Sequence, residues 1–188
     1  MAQEVEIEFK NLLTEDEFNR LLYDLPFPSD SETQTNYYFE TKDFALKAYN
    51  SALRIRKKNG SYQLTLKEPH HIGLLETHDS LTRQEAEAMI EGQTIFKKEV
   101  GQELLKKNIL FADLIYFGSL TTVRKETSYD GVLLVLDYST YNGKFDYELE
   151  LESASEVYGR KVFEALLNKY DIPIRKTPNK IKRLFSTL

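Results

Sequence analysis

Charged residues at every second position mark the stretches of this chain that could do chemistry. Glu4-Val5-Glu6-Ile7-Glu8-Phe9-Lys10 puts Glu4, Glu6, Glu8 and Lys10 on one face of a strand and Val5, Ile7 and Phe9 on the other. Carboxylates about 7 Å apart along such a face repel one another unless a cation sits among them. The pattern recurs with other signs. Leu53 and Ile55 oppose Arg54, Arg56 and Lys58, while Leu64 and Leu66 oppose Gln63, Thr65 and Lys67. Thr122, Arg124 and Glu126 share a face, and Asp137 stands beside Leu133 and Val135. Last, Asp146, Glu148, Glu150 and Glu152 oppose Phe145, Tyr147, Leu149 and Leu151. Arginine and lysine recognise phosphate oxygens, arginine in a two-pronged geometry. Grouped carboxylates suit a hard divalent cation such as Mg²⁺ or Mn²⁺, which in turn bridges phosphate and water. Together these faces describe chemistry on a polyphosphate. The competing reading is an antiparallel sheet whose charged face meets water.

The elements that must position these residues are strands with a few helices between them. After the first strand, Thr14-Glu15-Asp16-Glu17 is a capping box opening a helix to about Asp24, and Pro26 and Pro28 end it. Residues 34–41 alternate again, with Tyr37 and Phe39 on one face and Tyr38 and Glu40 on the other; a short helix is expected over 43–49. Asn59-Gly60 joins strands 51–58 and 61–68 as a hairpin, and 72–79 is a fifth strand. Thr82 caps a helix ending near Gly92, and 97–107 forms another. A long strand over 114–129 turns at Asp130-Gly131 into 132–141, which turns at Asn142-Gly143 into 144–152. Ser153-Ala154-Ser155-Glu156 opens a helix to about Tyr170, and the tail ends in the basic run Asn179-Lys180-Ile181-Lys182-Arg183. Eight strands in a sheet usually close or pack to remove their edges. The expectation is therefore α+β, mainly β: a closed eight-stranded antiparallel barrel with flanking helices and its charged faces turned inward.

Composition narrows the class. At 188 residues a single domain over 1–188 is expected, and 41% hydrophobic with 29% charged residues fits a globular chain. The absence of cysteine excludes disulfides, thiolate metal sites and a cysteine nucleophile. Neither an 18-residue apolar run nor a leader is visible, so a cytoplasmic protein without a membrane partner is expected. A net charge of −5 argues against general nucleic-acid binding. A monomer or homodimer is expected.

Taken in order, Glu6-Ile7-Glu8-Phe9-Lys10, Leu53-Arg54-Ile55-Arg56, Leu64-Thr65-Leu66-Lys67, Arg124, Asp137 and Tyr147-Glu148-Leu149-Glu150 resemble the signatures of the CYTH superfamily, or triphosphate tunnel metalloenzymes. The chain is similar to the small bacterial stand-alone members. The resemblance implies a triphosphate tunnel and Mg²⁺ or Mn²⁺ as cofactor. It implies metal ligation by Glu6, Glu8, Asp137, Glu148 and Glu150, with Glu152 as the alternative in a register shifted by two residues. Lys10, Arg54, Arg56, Lys67 and Arg124 would grip the triphosphate, joined by Lys180 or Lys182 from the tail. Glu6, Glu8, Lys10, Glu148 and Glu150 would carry catalysis. Glu76 and Tyr38 are weaker candidates, and His70, His71 and His78 are expected at the surface rather than as ligands. The implied activity is metal-dependent hydrolysis of inorganic triphosphate or a nucleoside or thiamine triphosphate. The alternatives are conversion of ATP to cyclic AMP, as in class IV adenylate cyclases, and non-catalytic binding of nucleotide or polyphosphate.

Overall fold

The computed structural model describes residues 2–188. In chain order the elements are β1 (Gln3–Glu6), β2 (Glu8–Leu13), α1 (Glu15–Asp24), β3 (Glu32–Thr41), α2 (Ala45–Ala48), β4 (Ala52–Lys58), β5 (Ser61–His70), β6 (Gly73–Leu81), α3 (Arg83–Ile90), α4 (Lys98–Leu105), β7 (Leu114–Tyr129), β8 (Val132–Tyr141), β9 (Lys144–Glu152), α5 (Glu156–Lys169) and α6 (Lys180–Phe185). A short 3-10 turn spans Phe111–Asp113. The chain divides into two compact units, one made of the residues up to Val5 with Gln34–Leu120, the other of Glu6–Thr33 with Thr121–Leu188.

In the first unit the strands neighbour one another in the order β1-β6-β5-β4-β3-β7. Strands β4 and β5 face each other across Asn59-Gly60, both with positive φ, as a two-residue hairpin turn requires. Every second residue of these strands enters an apolar core: Phe39, Leu53, Ile55, Leu64 and Leu66 are buried together with Ala86 and Met89 of α3 and Val100 and Leu104 of α4. Each large side chain so buried contributes roughly 1.5–3 kcal/mol. Their opposite faces carry the charged residues.

In the second unit the order is β7-β8-β9-β2. The turns Asp130-Gly131 and Asn142-Gly143 again have positive φ at both positions. Leu134, Leu136, Leu149 and Leu151 pack against Val162, Phe163, Leu166 and Leu167 of α5 and Leu21 of α1. The expected capping box is present, with Thr14 accepting from the Glu17 N–H and Glu17 from the Thr14 N–H, and Thr82, expected as a cap, forms the same box with Glu85.

The mainly β, antiparallel, α+β character follows from these elements. The strand count differs from expectation. The first strand changes neighbours at Ile7, pairing with β6 before it and β9 after it, so it counts as two. The sheet therefore has nine strands with β1 and β2 at the ends of its order, and the expected closed ring of eight is corrected to that extent. Among the described residues no helix is long and apolar enough to cross a membrane.

Candidate functional site

The acidic cluster belongs to the second unit. Cross-strand register fixes it: Arg124 of β7 faces Asp137 of β8, Asp137 faces Glu148 of β9, and Glu150 faces Lys10 of β2. Opposite residues share a face, so alternation places Asp146, Glu148, Glu150 and Glu152 in one row. Arg124 grips Asp137 with Nε at 2.8 Å and one terminal nitrogen at 2.7 Å, and the same nitrogen reaches Glu150 at 2.9 Å. Lys180, at the start of α6, sends its Nζ among three acids: Asp137 at 2.9 Å, Glu148 at 3.3 Å, and Glu150 in a shorter contact. Arg183, one turn further along α6, pairs with Glu148 and, at 3.1 Å, with Asp146. Asn179 caps this helix by accepting from the Lys182 N–H, which fixes the direction of Lys180.

Here acids outnumber the cations that can serve them. Asp137 and Glu148 are wholly buried. Glu148 has its pKa raised: burial disfavours the charge and Glu150 adds repulsion, against the pull of Lys180 and Arg183. Glu152 is pushed up to about 7 by burial, then by Glu6 and Glu150. Burial opposes the charge on Lys180 and on Arg124, yet Glu150 and Asp137 hold both pKa values above the ordinary range. One oxygen of Glu148, Oε1, is buried and has no hydrogen-bond partner. Glu8 accepts from Lys10 Nζ at 3.3 Å.

The first unit holds a second cluster of opposite balance. Glu76 of β6 receives Lys67 Nζ of β5 at 2.9 Å, with Arg54 of β4 at 3.7 Å. Although burial pushes the Glu76 pKa up, Lys67 and Arg54 outweigh it and lower it. Arg56 Nε donates to Asn36 Oδ1 of β3 at 3.0 Å. His78 was expected at the surface; instead it is half-buried on β6, its Nε2 3.0 Å from Glu4 and 3.3 Å from Glu76, its Nδ1 2.9 Å from Thr65 Oγ1. Glu4, Glu76 and His78 bring ligand atoms within 4.8 Å of one another, a group able to hold a cation. His70 is half-buried at the end of β5 and His71 is exposed in the turn after it.

Of the tail lysines, Lys180 enters the acidic cluster and Lys182 is exposed. Glu148 and Glu150 make the contacts to Lys180, Arg183 and Arg124, while Glu152 faces Glu8 of β2 and is repelled most by Glu6 and then by Glu150. Tyr38 is buried beside Arg54 in the strand register. Arg183 and Asp146 were not anticipated. Asp146 continues the alternation of β9, and Arg183 follows Lys180 at helical spacing, so both signals were present in the sequence.

The CYTH domain model matches residues 4–185. The chain belongs to the CYTH family. It is 47% identical over 186 residues to the Bacillus subtilis (strain 168) protein named "Putative triphosphatase YjbK", covering 98% of this chain and 96% of that one. A Bacillus halodurans structure described as a "putative adenylate cyclase" is 42% identical with a TM-score of 0.94, covering 98% of this chain and all of that one. The Hippeastrum protein HpAC1 shares the fold, with a TM-score of 0.80 at 24% identity over 96% of this chain and 95% of its own. Within the CYTH family, then, similar relatives carry two different activity names.

Proposed function

We propose that this CYTH protein hydrolyses a small triphosphate, inorganic triphosphate first among them, with Mg²⁺ or Mn²⁺ as cofactor. The observation that carries the reading is the excess of buried and half-buried carboxylates in the second unit, Glu6, Glu8, Asp137, Asp146, Glu148, Glu150 and Glu152, over the cations Lys10, Arg124, Lys180 and Arg183, with the raised pKa values of Glu148 and Glu152 and the unpartnered Glu148 Oε1. That donor set fits a hard divalent cation: it is all carboxylate oxygen, and added positive charge relieves repulsion already present. Glu148, Glu150, Asp137, Glu6 and Glu8 would hold it, with Glu152 beside them. When bound, the cation supplies charge neutralisation of the phosphate oxygens and lowers the pKa of coordinated water.

The chain's own residues do the rest by placement. Phosphoryl transfer rests mainly on positioning and charge stabilisation, which suits a chain without cysteine. Lys10, Arg54, Arg56, Lys67, Arg124 and Lys180 are the proposed donors to phosphate oxygens. Arg124 and Lys180 are held in place by the acids they neutralise, so their positive ends are fixed before substrate arrives. Hydrolysis adds water across the terminal phosphoanhydride bond: the new P–O bond forms to the water oxygen, the P–O bond to pyrophosphate breaks, and phosphate and pyrophosphate are released. As one domain over 1–188 in this reading, the protein meets a triphosphate-bearing small molecule as its partner.

The name of the Bacillus subtilis relative favours hydrolysis, and that of the Bacillus halodurans relative favours cyclisation of ATP. One panel separates them: phosphate release from inorganic triphosphate, ATP, GTP and thiamine triphosphate, with Mg²⁺, Mn²⁺ or chelator, alongside cyclic AMP detection. Phosphate release that requires the metal is expected. Cyclic AMP from ATP without phosphate release would overturn the reading in favour of a cyclase, and tight triphosphate binding without turnover would make the protein a binder.

A further inference from the structure

The first unit contains a group of buried donors that lack acceptors. Strands β3 and β4 pair so that Gln34 faces Lys58, Asn36 faces Arg56 and Tyr38 faces Arg54, and opposite residues share a face. Asn36 is wholly buried and Gln34 is 2% exposed. Arg56 Nε donates to Asn36 Oδ1. A guanidinium only donates, so this bond fixes which way the Asn36 amide is turned and directs its NH₂ elsewhere. That Nδ2 has no hydrogen-bond partner among the described residues, and neither do Gln34 Nε2 and Arg54 Nε. Nearly all buried polar groups in folded proteins are paired. Three unpaired donors on one face of two neighbouring strands carry a desolvation penalty that threonine or valine there would avoid. What all three lack is an acceptor.

We propose that Asn36 and Gln34, together with the Nε–H of Arg54, form an oxyanion subsite that takes one phosphoryl group of the substrate. The proposal rests on the triphosphate reading and adds to it two binding residues that carry no charge and that the charged-face pattern passes over. Neutral amides suit this place. They add directional donors to a face already rich in positive charge, and they do so without strengthening the long-range attraction that would slow product release. Because the donors need only phosphate oxygens, the subsite works without a divalent cation.

The test is side-chain amide NMR of ¹⁵N-labelled protein in chelator, titrated with tripolyphosphate and, separately, with inorganic phosphate. The NH₂ signals of Asn36 and Gln34 and the Nε–H of Arg54 are expected to shift saturably with tripolyphosphate, and more weakly with phosphate. By calorimetry in the same chelator, Asn36→Asp should bind tripolyphosphate about tenfold more weakly or worse. Gln34→Met keeps length and removes the donor, and should weaken binding in the same direction even where the buried aspartate disturbs folding. Amide signals that stay unmoved at saturation, as they would over a trapped water, overturn the proposal. So does wild-type affinity in both folded variants, or the absence of saturable tripolyphosphate binding. Amide shifts in a protein that releases no phosphate would instead remove the hydrolase reading and leave the subsite standing.

Discussion

The two charged clusters are built from the same residue types on the same kind of strand, yet they are poised in opposite senses. Around Glu76, one carboxylate meets Lys67 and Arg54, and its pKa falls below 4.5 despite burial. Around Glu148, four acidic residues of β8 and β9 share Arg124, Lys180 and Arg183, and the pKa values of Glu148 and Glu152 rise. Among the orphaned buried atoms, the first unit has three donors, Arg54 Nε, Asn36 Nδ2 and Gln34 Nε2, beside one carboxylate oxygen each of Glu68 and Glu76, and the second has Glu148 Oε1 beside Arg183 Nε. Net balance, rather than the presence of charge, distinguishes the two clusters.

The largest contrast is expected between two arginine substitutions. Arg124→Met removes the two-pronged partner of wholly buried Asp137 and one bond to Glu150, and should destabilise the fold by about 3–5 kcal/mol. Arg54→Met should cost about 1 kcal/mol, because Lys67 still holds Glu76 at the shorter distance. Urea denaturation of both variants checks the ordering, and similar losses would show that the clusters do not differ in this way.

Metal should then separate the clusters without substrate. A cation that binds only the folded chain raises its stability by about 2.7 kcal/mol at one hundred times the dissociation constant. Mn²⁺ should raise the melting temperature of the wild type and of Glu76→Gln alike, since Lys67 and Arg54 already neutralise Glu76. In Glu150→Gln the rise should shrink or vanish. A rise lost in Glu76→Gln and kept in Glu150→Gln would move the metal to the group formed by Glu4, Glu76 and His78.

The smallest effects are those of pH, and their signs differ. Glu152 has a folded pKa of about 7 against an ordinary 4.5, so its stabilising contribution is full below pH 4.5 and is lost as pH rises through 7. Glu152→Gln should therefore melt above the wild type at pH 8, with the gap closing toward pH 4.5. Glu76, with its pKa lowered, contributes stability above pH 4.5 that disappears as pH falls through the lowered value. Glu76→Gln should melt below the wild type at pH 7 and approach it in acid. Melting curves of both variants from pH 4 to 8 decide, and gaps of the same sign would contradict the opposed poise.

Much of this is legible in the sequence. Period-two alternation assigned each charged residue to a face, and Asn59-Gly60, Asp130-Gly131 and Asn142-Gly143 set the hairpins whose registers bring Arg124, Asp137 and Glu148 into line. The break at Ile7 was not legible, because alternation continues straight through it and only the change of neighbour reveals two strands. The choice between Lys180 and Lys182 depends on where the Asn179 cap starts α6, and the tail alone does not say. His78 was misplaced because β6 reads as a half-exposed strand until β1 lies alongside it and brings Glu4 to the imidazole. Gln34 and Asn36 were passed over for a plainer reason: neutral amides carry no charge pattern, and only their missing partners make them visible.

The central claim is that anion and cation are served by different residues of one triphosphatase, and steady-state phosphate release from inorganic triphosphate tests it most directly. Wild type, Arg56→Ala and Glu150→Gln are compared while triphosphate and Mn²⁺ are varied independently. Arg56→Ala is expected to raise the KM for triphosphate by roughly tenfold or more, leaving the Mn²⁺ concentration for half-maximal rate close to that of the wild type. Glu150→Gln is expected to do the reverse. Both variants shifting the same parameter, or a wild type that releases phosphate equally well in chelator, would contradict the account.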